Sequence, residues 1–353
     1  MSDLPQNPPP LAKPKRSTRS LLINAVLVAL AFGLLGLAIW KNRAQVQKVL
    51  NGPLDGRWFA LAMAVNLTGV VLTFVRWYFL VRALDIPFRL RDALRLGFIG
   101  NVFNLVIPGA VGGDLIKAYY LYREQAKKAQ AIASMVIDRI VGLLGLFLLA
   151  GAMGVLLMWS GPSRQVALLI VLVWMAALAG LVGLAVIFTP SLYRPLTRLV
   201  AGRKRLEAIL AELVVTASAY RARLWVVFGT LLMAMGIHSL YVLSFYWASR
   251  AIFPNPPSLS QHFLIVPLNL FTTAVPLPFG ALGLSELVSD QLFKLVNYPS
   301  GVVTMMAYRV LMYGGGLVSA FVYLANLRTV REISSQSAPP SADLNAGLEP
   351  ARS

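Results

Sequence analysis

Cysteine is absent from this chain of 353 residues. That excludes disulfides, thiolate nucleophiles and cysteine-ligated zinc or iron–sulfur centres. Only two histidines occur, His238 and His262, which leaves little for a metal centre or a histidine-based triad. Charge is scarce as well: Asp, Glu, Lys and Arg make up 13% of the chain, against about 25% in soluble proteins. In their place stand 58% hydrophobic residues and a mean hydropathy of +0.69. A soluble protein of this length needs a polar surface that such a composition cannot supply. The chain therefore reads as an all-α polytopic membrane protein.

Six uncharged or nearly uncharged runs are long enough to cross a hydrocarbon core of about 30 Å. They are Leu21–Trp40, Trp58–Leu80, Ile140–Trp159, Val166–Phe188, Leu224–Ser249 and Val302–Asn326. The first ends in Trp40-Lys41, an interfacial anchor rather than a small-residue cleavage site, so it is expected to be retained. Residues 1–20, with Lys13, Lys15, Arg16 and Arg19, read as a disordered basic arm, and 332–353 as a disordered tail. The membrane domain is then 21–331. Two further apolar stretches, Leu94–Tyr122 and His262–Phe293, are interrupted by proline and several glycines. Irregular backbone at membrane depth survives only where protein or a water-filled cavity covers it. Both stretches are therefore expected to be re-entrant or broken helices.

The net charge of +18 (32 Lys and Arg against 14 Asp and Glu) could suggest nucleic acid, but no binding module accompanies it. With the N-terminus cytoplasmic and both broken stretches re-entrant, 22 of the 32 basic residues fall inside and seven outside. That asymmetry puts both termini in the cytoplasm and makes the charge a collar facing anionic headgroups. The excess of Lys and Arg in Lys41–Arg57, read as an outer loop, runs against this pattern. Within 195–223, Leu206–Ala217 has the spacing of an amphipathic helix lying on the inner surface. Arg76, Arg139 and Arg309 remain within spans.

The two broken stretches repeat one another. Asn101, Phe103, Pro108 and Gly112 share their spacing with Asn269, Phe271, Pro276 and Gly280. A carboxylate follows each, Asp114 and Glu286, and Met135-x-x-x-Arg139 matches Met305-x-x-x-Arg309. The repeats, about 58–159 and 224–326, would enter from opposite faces, as in transporters whose substrate sites lie where broken helices meet.

Each matching residue has a structural role and a functional one. Asp114 after "PGAVGG" suits a helix N-cap or recognition of a cation or lipid amine. Ser285 is the expected N-cap beside Glu286, freeing Glu286 to pair. Arg139 and Arg309, about two turns into their spans, would pair with Asp114 or Asp138 and with Glu286, or hold a phosphate bidentately. Gly109, Gly112, Gly113, Gly280 and Gly283 permit tight turns and a phosphate-cradling backbone. Asn101 and Asn269 are expected to satisfy backbone groups freed by the breaks. His238 reads as hydrogen-bonding a neighbouring helix rather than binding metal, and Gly314–Gly316 as a close-packing surface.

At these motifs, "NLVIPGAVGGDLIKAYYLYRE", "SMVIDRIVGL", "VPLPFGALGLSE" and "YRVLMYGGGL", the sequence resembles the transmembrane region of lysylphosphatidylglycerol synthases, a flippase-like membrane family. The resemblance runs from about Leu21 to Arg328. It implies movement of a phospholipid between leaflets, by a stand-alone member without the synthase domain, and it carries over Asp114, Arg139, Glu286 and Arg309.

The expectation is a lipid flippase or translocase of the bacterial inner membrane. Its expected substrate is an anionic or aminoacylated phospholipid or a polyprenyl-linked lipid. The substrate-binding residues would be Asp114, Arg139, Glu286, Arg309, Gly112, Gly113, Asn101 and Asn269, with no catalytic residue, metal or cofactor. A separate cytoplasmic synthase or glycosyltransferase, or a second copy in a homodimer, is the protein partner considered. The rival is a non-catalytic membrane subunit that docks such an enzyme. An intramembrane lipid-modifying enzyme ranks third, for want of a general base.

Overall fold

A computed structural model describes residues 18–106, 113–114, 117, 128–159, 161–189, 202–203, 207, 217–275, 277–298 and 300–325. Every regular element among them is helical. The helices are α1 (Thr18–Lys41), α2 (Arg43–Leu50), α3 (Gly56–Arg82), α4 (Leu90–Val106), α5 (Lys128–Met158), α6 (Arg164–Phe188), α7 (Leu224–Ile252), α8 (Leu259–Phe271), α9 (Leu284–Leu295) and α10 (Gly301–Ala325). Most of the stretch 195–223, together with Pro108, Gly109, Gly112 and Pro276, lies outside the described residues, as do residues 1–17 and the tail from 326.

Among the described residues, five helices are long and apolar enough to cross a membrane: α3, α5 from Ala133 onward, α6, α7 and α10. A sixth is α1 taken together with α2, bent by 82° where they meet. The chain is thus a multi-pass membrane protein. The bend corrects the reading of Lys41–Arg57 as a loop. Asn42 is buried and turns its side-chain amide back to the Ala38 carbonyl (3.1 Å), and α2 continues in a new direction with no buried residue.

Local chemistry sets the helix starts. Asp55 accepts from the amide of Arg57 to open α3, and Ser163 from that of Val166 to open α6. Ser258 and Gln261 cap α8 reciprocally, each side chain taking the other's amide.

The helices form two groups. α3, α4 and α5 make the first; α7, α8, α9 and α10 make the second. α3 and α7 pack together at the centre. Each group then lends its broken-stretch helix to the other: α4 lies on α10, and α8 on α5. Glycines set these approaches. A Cβ at Gly145 would meet the Cβ of Ala234 at 2.7 Å and the backbone of α7 just beyond it, so the α5–α7 contact needs a small residue.

The apolar core is divided in two. One cluster joins Trp77, Leu84, Ile86, Phe88, Met135 and Tyr220. The other joins Ala62, Phe245, Leu264, Phe293, Met305 and Tyr308. Along α3 these clusters meet opposite ends of one span, and the polar residues Asn66, Thr73 and Arg76 lie between Ala62 and Trp77.

Candidate functional site

The second broken stretch is closed by an ion pair. α8 ends at Phe271 and a single turn of 3-10 helix follows, Thr272–Ala274. Phe279, Gly280 and Ala281 then hold φ of 57°, 65° and 55°, before Gly283 at 82°. Two of these left-handed residues carry side chains, a conformation that persists only where surroundings enforce it. Arg309 supplies the enforcement. It donates from Nη1 to the carbonyl of Phe279 (2.6 Å), and from Nε and Nη2 to the two oxygens of Glu286 (2.5 and 3.1 Å). Glu286 also accepts from the Gly283 amide (2.7 Å). The Glu286 and Arg309 side chains are 0% and 5% exposed, so this pair fixes a turn and faces no space.

The start of α9 differs from expectation. Gly283 stands at the N-cap and Glu286 supplies the carboxylate that caps it, so one residue both caps and pairs. Ser285 lies inside the helix, bonded to the Thr272 hydroxyl (2.7 Å). A hydroxyl one residue into the helix has a nearer partner across the break than the backbone it was expected to cap.

The matching pair in the first group is open. Arg139 donates from Nε to Asp114 (2.5 Å), whose other oxygen lies 3.6 Å from Lys117 Nζ. The Arg139 and Asp114 side chains are 44% and 20% exposed. Lys117 in turn sits 5.2 Å from the centre of the Trp77 ring, a cation–π contact. Gly113 meets α4 so closely that a Cβ there would lie 2.0 Å from the Gly100 carbonyl oxygen, and its amide donates to Asn104 (2.8 Å). Asn104, not Asn101, thus serves the backbone at this break. Asn101 reaches across to Ser319 of α10 (2.9 Å), and Asn269 contacts the Met305 sulfur.

Arg139 opens onto a cavity of about 360 Å³ between the groups. Its walls come from α3, α4, α5, α7 and α10 and from the break after α8. Arg76 holds Asp138 there with Nε and Nη2, at 2.9 and 3.2 Å from its two oxygens. His238 donates from Nε2 to the Gly142 carbonyl of α5 (3.0 Å), since a carbonyl only accepts. Thr73 bonds Tyr241 (3.2 Å), and Asn66 donates to the Tyr308 hydroxyl (3.2 Å). Adjacent on α5, Asp138 and Arg139 therefore serve different partners, α3 and the first broken stretch. Among the described residues no group of His, Asp and Glu has the arrangement to hold a metal.

The family model for the lysylphosphatidylglycerol synthase TM region matches residues 16–320. The chain belongs to this family. Curated proteins and solved structures give no match. The family match spans both ion pairs and every residue lining the cavity.

Of the residues expected to bind substrate, the structure of this family member puts Arg139 and Asn101 in the cavity wall and Asp114 directly behind Arg139, while Gly113 packs on α4. Glu286, Arg309 and Asn269 lie outside the wall, and Gly112 is not among the described residues. Sequence reasoning passed over Arg76, Asp138, Tyr241, Asn66 and Thr73 as cavity groups. Arg76 and Asp138 did carry a signal, as opposite charges inside spans. Their pairing depends on how α3 and α5 are rotated against each other, which periodicity in apolar helices does not set.

Proposed function

We propose that this protein moves the polar headgroup of a phospholipid between leaflets of the bacterial inner membrane, with both termini in the cytoplasm. The observation that carries the reading is the cavity between the helix groups, which sets Arg76, Asp138 and Arg139 into an otherwise largely apolar wall and presents Arg139 from an exposed ion pair. A headgroup crossing the hydrocarbon needs such a lining, because each unsatisfied polar group there costs several kcal/mol. The acyl chains stay in lipid.

In this reading the lipid phosphate competes with Asp114 for Arg139. A guanidinium binds phosphate and carboxylate with the same forked geometry, so the exchange preserves its bonds while releasing the first broken stretch. The two groups, related as inverted repeats, then rock about the α3–α7 contact and open the cavity to the other side. The Glu286–Arg309 pair holds its turn throughout. The process needs no catalytic residue, and the sequence has no nucleotide-binding motif, so movement against a gradient draws on an ion gradient or a partner.

The test is transfer of tail-labelled phospholipid in proteoliposomes. Wild type is expected to exceed protein-free vesicles, and Arg139→Gln to lose at least tenfold while eluting as a folded species. A wild-type protein that moves no native-membrane lipid under any imposed gradient refutes the reading.

A further inference from the structure

The charges around the cavity point to the class of headgroup. Among the described residues, those lining it are Arg76, Asp138 and Arg139, and those bonded behind the lining are Asp114 and Lys117. Three cations thus face two carboxylates. Both carboxylates are engaged at both oxygens: Asp138 by Arg76, and Asp114 by Arg139 on one side and Lys117 on the other. His238 cannot reverse this balance, since protonation would only add positive charge.

An ammonium entering this space would meet a net positive field and carboxylates already bonded to cations. A phosphodiester would meet the opposite. Beside a protein wall such differences act through an effective dielectric lower than that of bulk water and are larger than in solution. Neutral hydroxyls and amides also stand in the wall, from Asn66, Thr73, Asn101, Tyr241 and Tyr308, among apolar residues such as Val70, Leu143 and Met312, and these suit the hydroxyls of a polyol.

We infer that the cavity takes an anionic, ammonium-free headgroup, a phosphodiester bearing a polyol, and discriminates against its aminoacylated form. The inference rests on the translocation reading and names its substrate class. The lysyl ester of phosphatidylglycerol keeps one phosphate but adds two ammonium groups, which makes it the sharpest probe of the charge argument. Phosphatidylglycerol itself carries a single negative charge.

Two measurements on the full chain separate the possibilities. In proteoliposomes, tail-labelled phosphatidylglycerol is expected to transfer at least tenfold faster than its lysyl ester of the same acyl composition. In detergent, phosphatidylglycerol should displace a bound labelled lipid at no more than one-tenth of the concentration the lysyl ester needs. Lys117→Gln removes the third cation of the cluster and should narrow both ratios to about threefold or less in a protein that still folds. Equal or reversed preference for the lysyl ester in wild type overturns the charge inference and leaves translocation standing. If neither lipid transfers, translocation falls, and the displacement ratio alone decides the charge inference: a ratio near one overturns it. A wild-type preference unchanged in Lys117→Gln overturns the assignment of selectivity to this cluster.

Discussion

Arg139 and Arg309 occupy matching positions in the sequence yet do different physical work. Arg309 is enclosed, and its guanidinium bonds Glu286 and the strained turn at Phe279 and Gly280. Removing one partner of a buried pair leaves the other charged and uncompensated, at a cost of about 3–5 kcal/mol. Arg309→Ala is accordingly expected to lower the thermal midpoint in detergent steeply and to cut the folded yield. Arg309→Lys keeps the charge but loses the fork, so its midpoint should fall between the two. Arg139 is 44% exposed on its side chain, and exposed pairs contribute about 0–1 kcal/mol. Arg139→Gln should leave the midpoint within a few degrees of wild type while transfer collapses. A collapse of the midpoint in Arg139→Gln would instead mark that pair as structural.

At the level of elements, the two breaks are held from opposite directions. The second is held by α1, whose backbone passes so near Gly283 that a Cβ there would lie 2.4 Å from the Leu35 amide nitrogen. Gly283→Ala therefore overpacks the contact, at about 1–3 kcal/mol, and forces an L side chain to φ of 82°. The expected result is detachment of α1, read as new protease sensitivity between α1 and α3 with the remaining helices intact. The first break is held by α4, through the contact of Gly113 with Gly100 and the Asn104 side chain. Asn104→Ala leaves the Gly113 amide without its side-chain acceptor, a loss of about 1–3 kcal/mol for a buried donor. It should speed hydrogen exchange around Gly113 without changing exchange at α9.

For the molecule as a whole, movement of one group against the other must pass through the α4–α10 and α5–α8 contacts. Asn101 and Ser319 touch across the first of these, 2.9 Å apart. The absence of native cysteine makes a double substitution, Asn101→Cys with Ser319→Cys, a clean site for a short thiol cross-linker. Cross-linking should stop lipid transfer, and reduction of a cleavable linker should restore it. Transfer that continues through the linked protein would mean that α4 and α10 move together. The single variants set the baseline, since Asn101 also lines the cavity.

Composition and run length alone determined that this is an all-helical membrane protein, and nearly where its spans lie. The runs Trp58–Leu80 and Leu224–Ser249 fall within α3 and α7 to a few residues, because transfer of apolar side chains from water is local and additive along a chain. The second break was legible for a similar reason: prolines and glycines clustered within a few residues favour a turn over a helix, although the single Pro267 is carried inside α8. The bend at Asn42 was not, since it depends on a side chain turning back on its own helix. The tertiary structure alone decided which charges meet. Arg76, Arg139 and Arg309 look alike in sequence as lone cations within apolar helices, and each has an acidic residue within reach on paper. Helix rotation and approach, set by glycine contacts such as Gly145 on Ala234, sent Arg309 into a sealed turn and left Arg76 and Arg139 on a cavity. Pairing energies at membrane depth depend on distance and enclosure, and neither is a property of one strand of sequence.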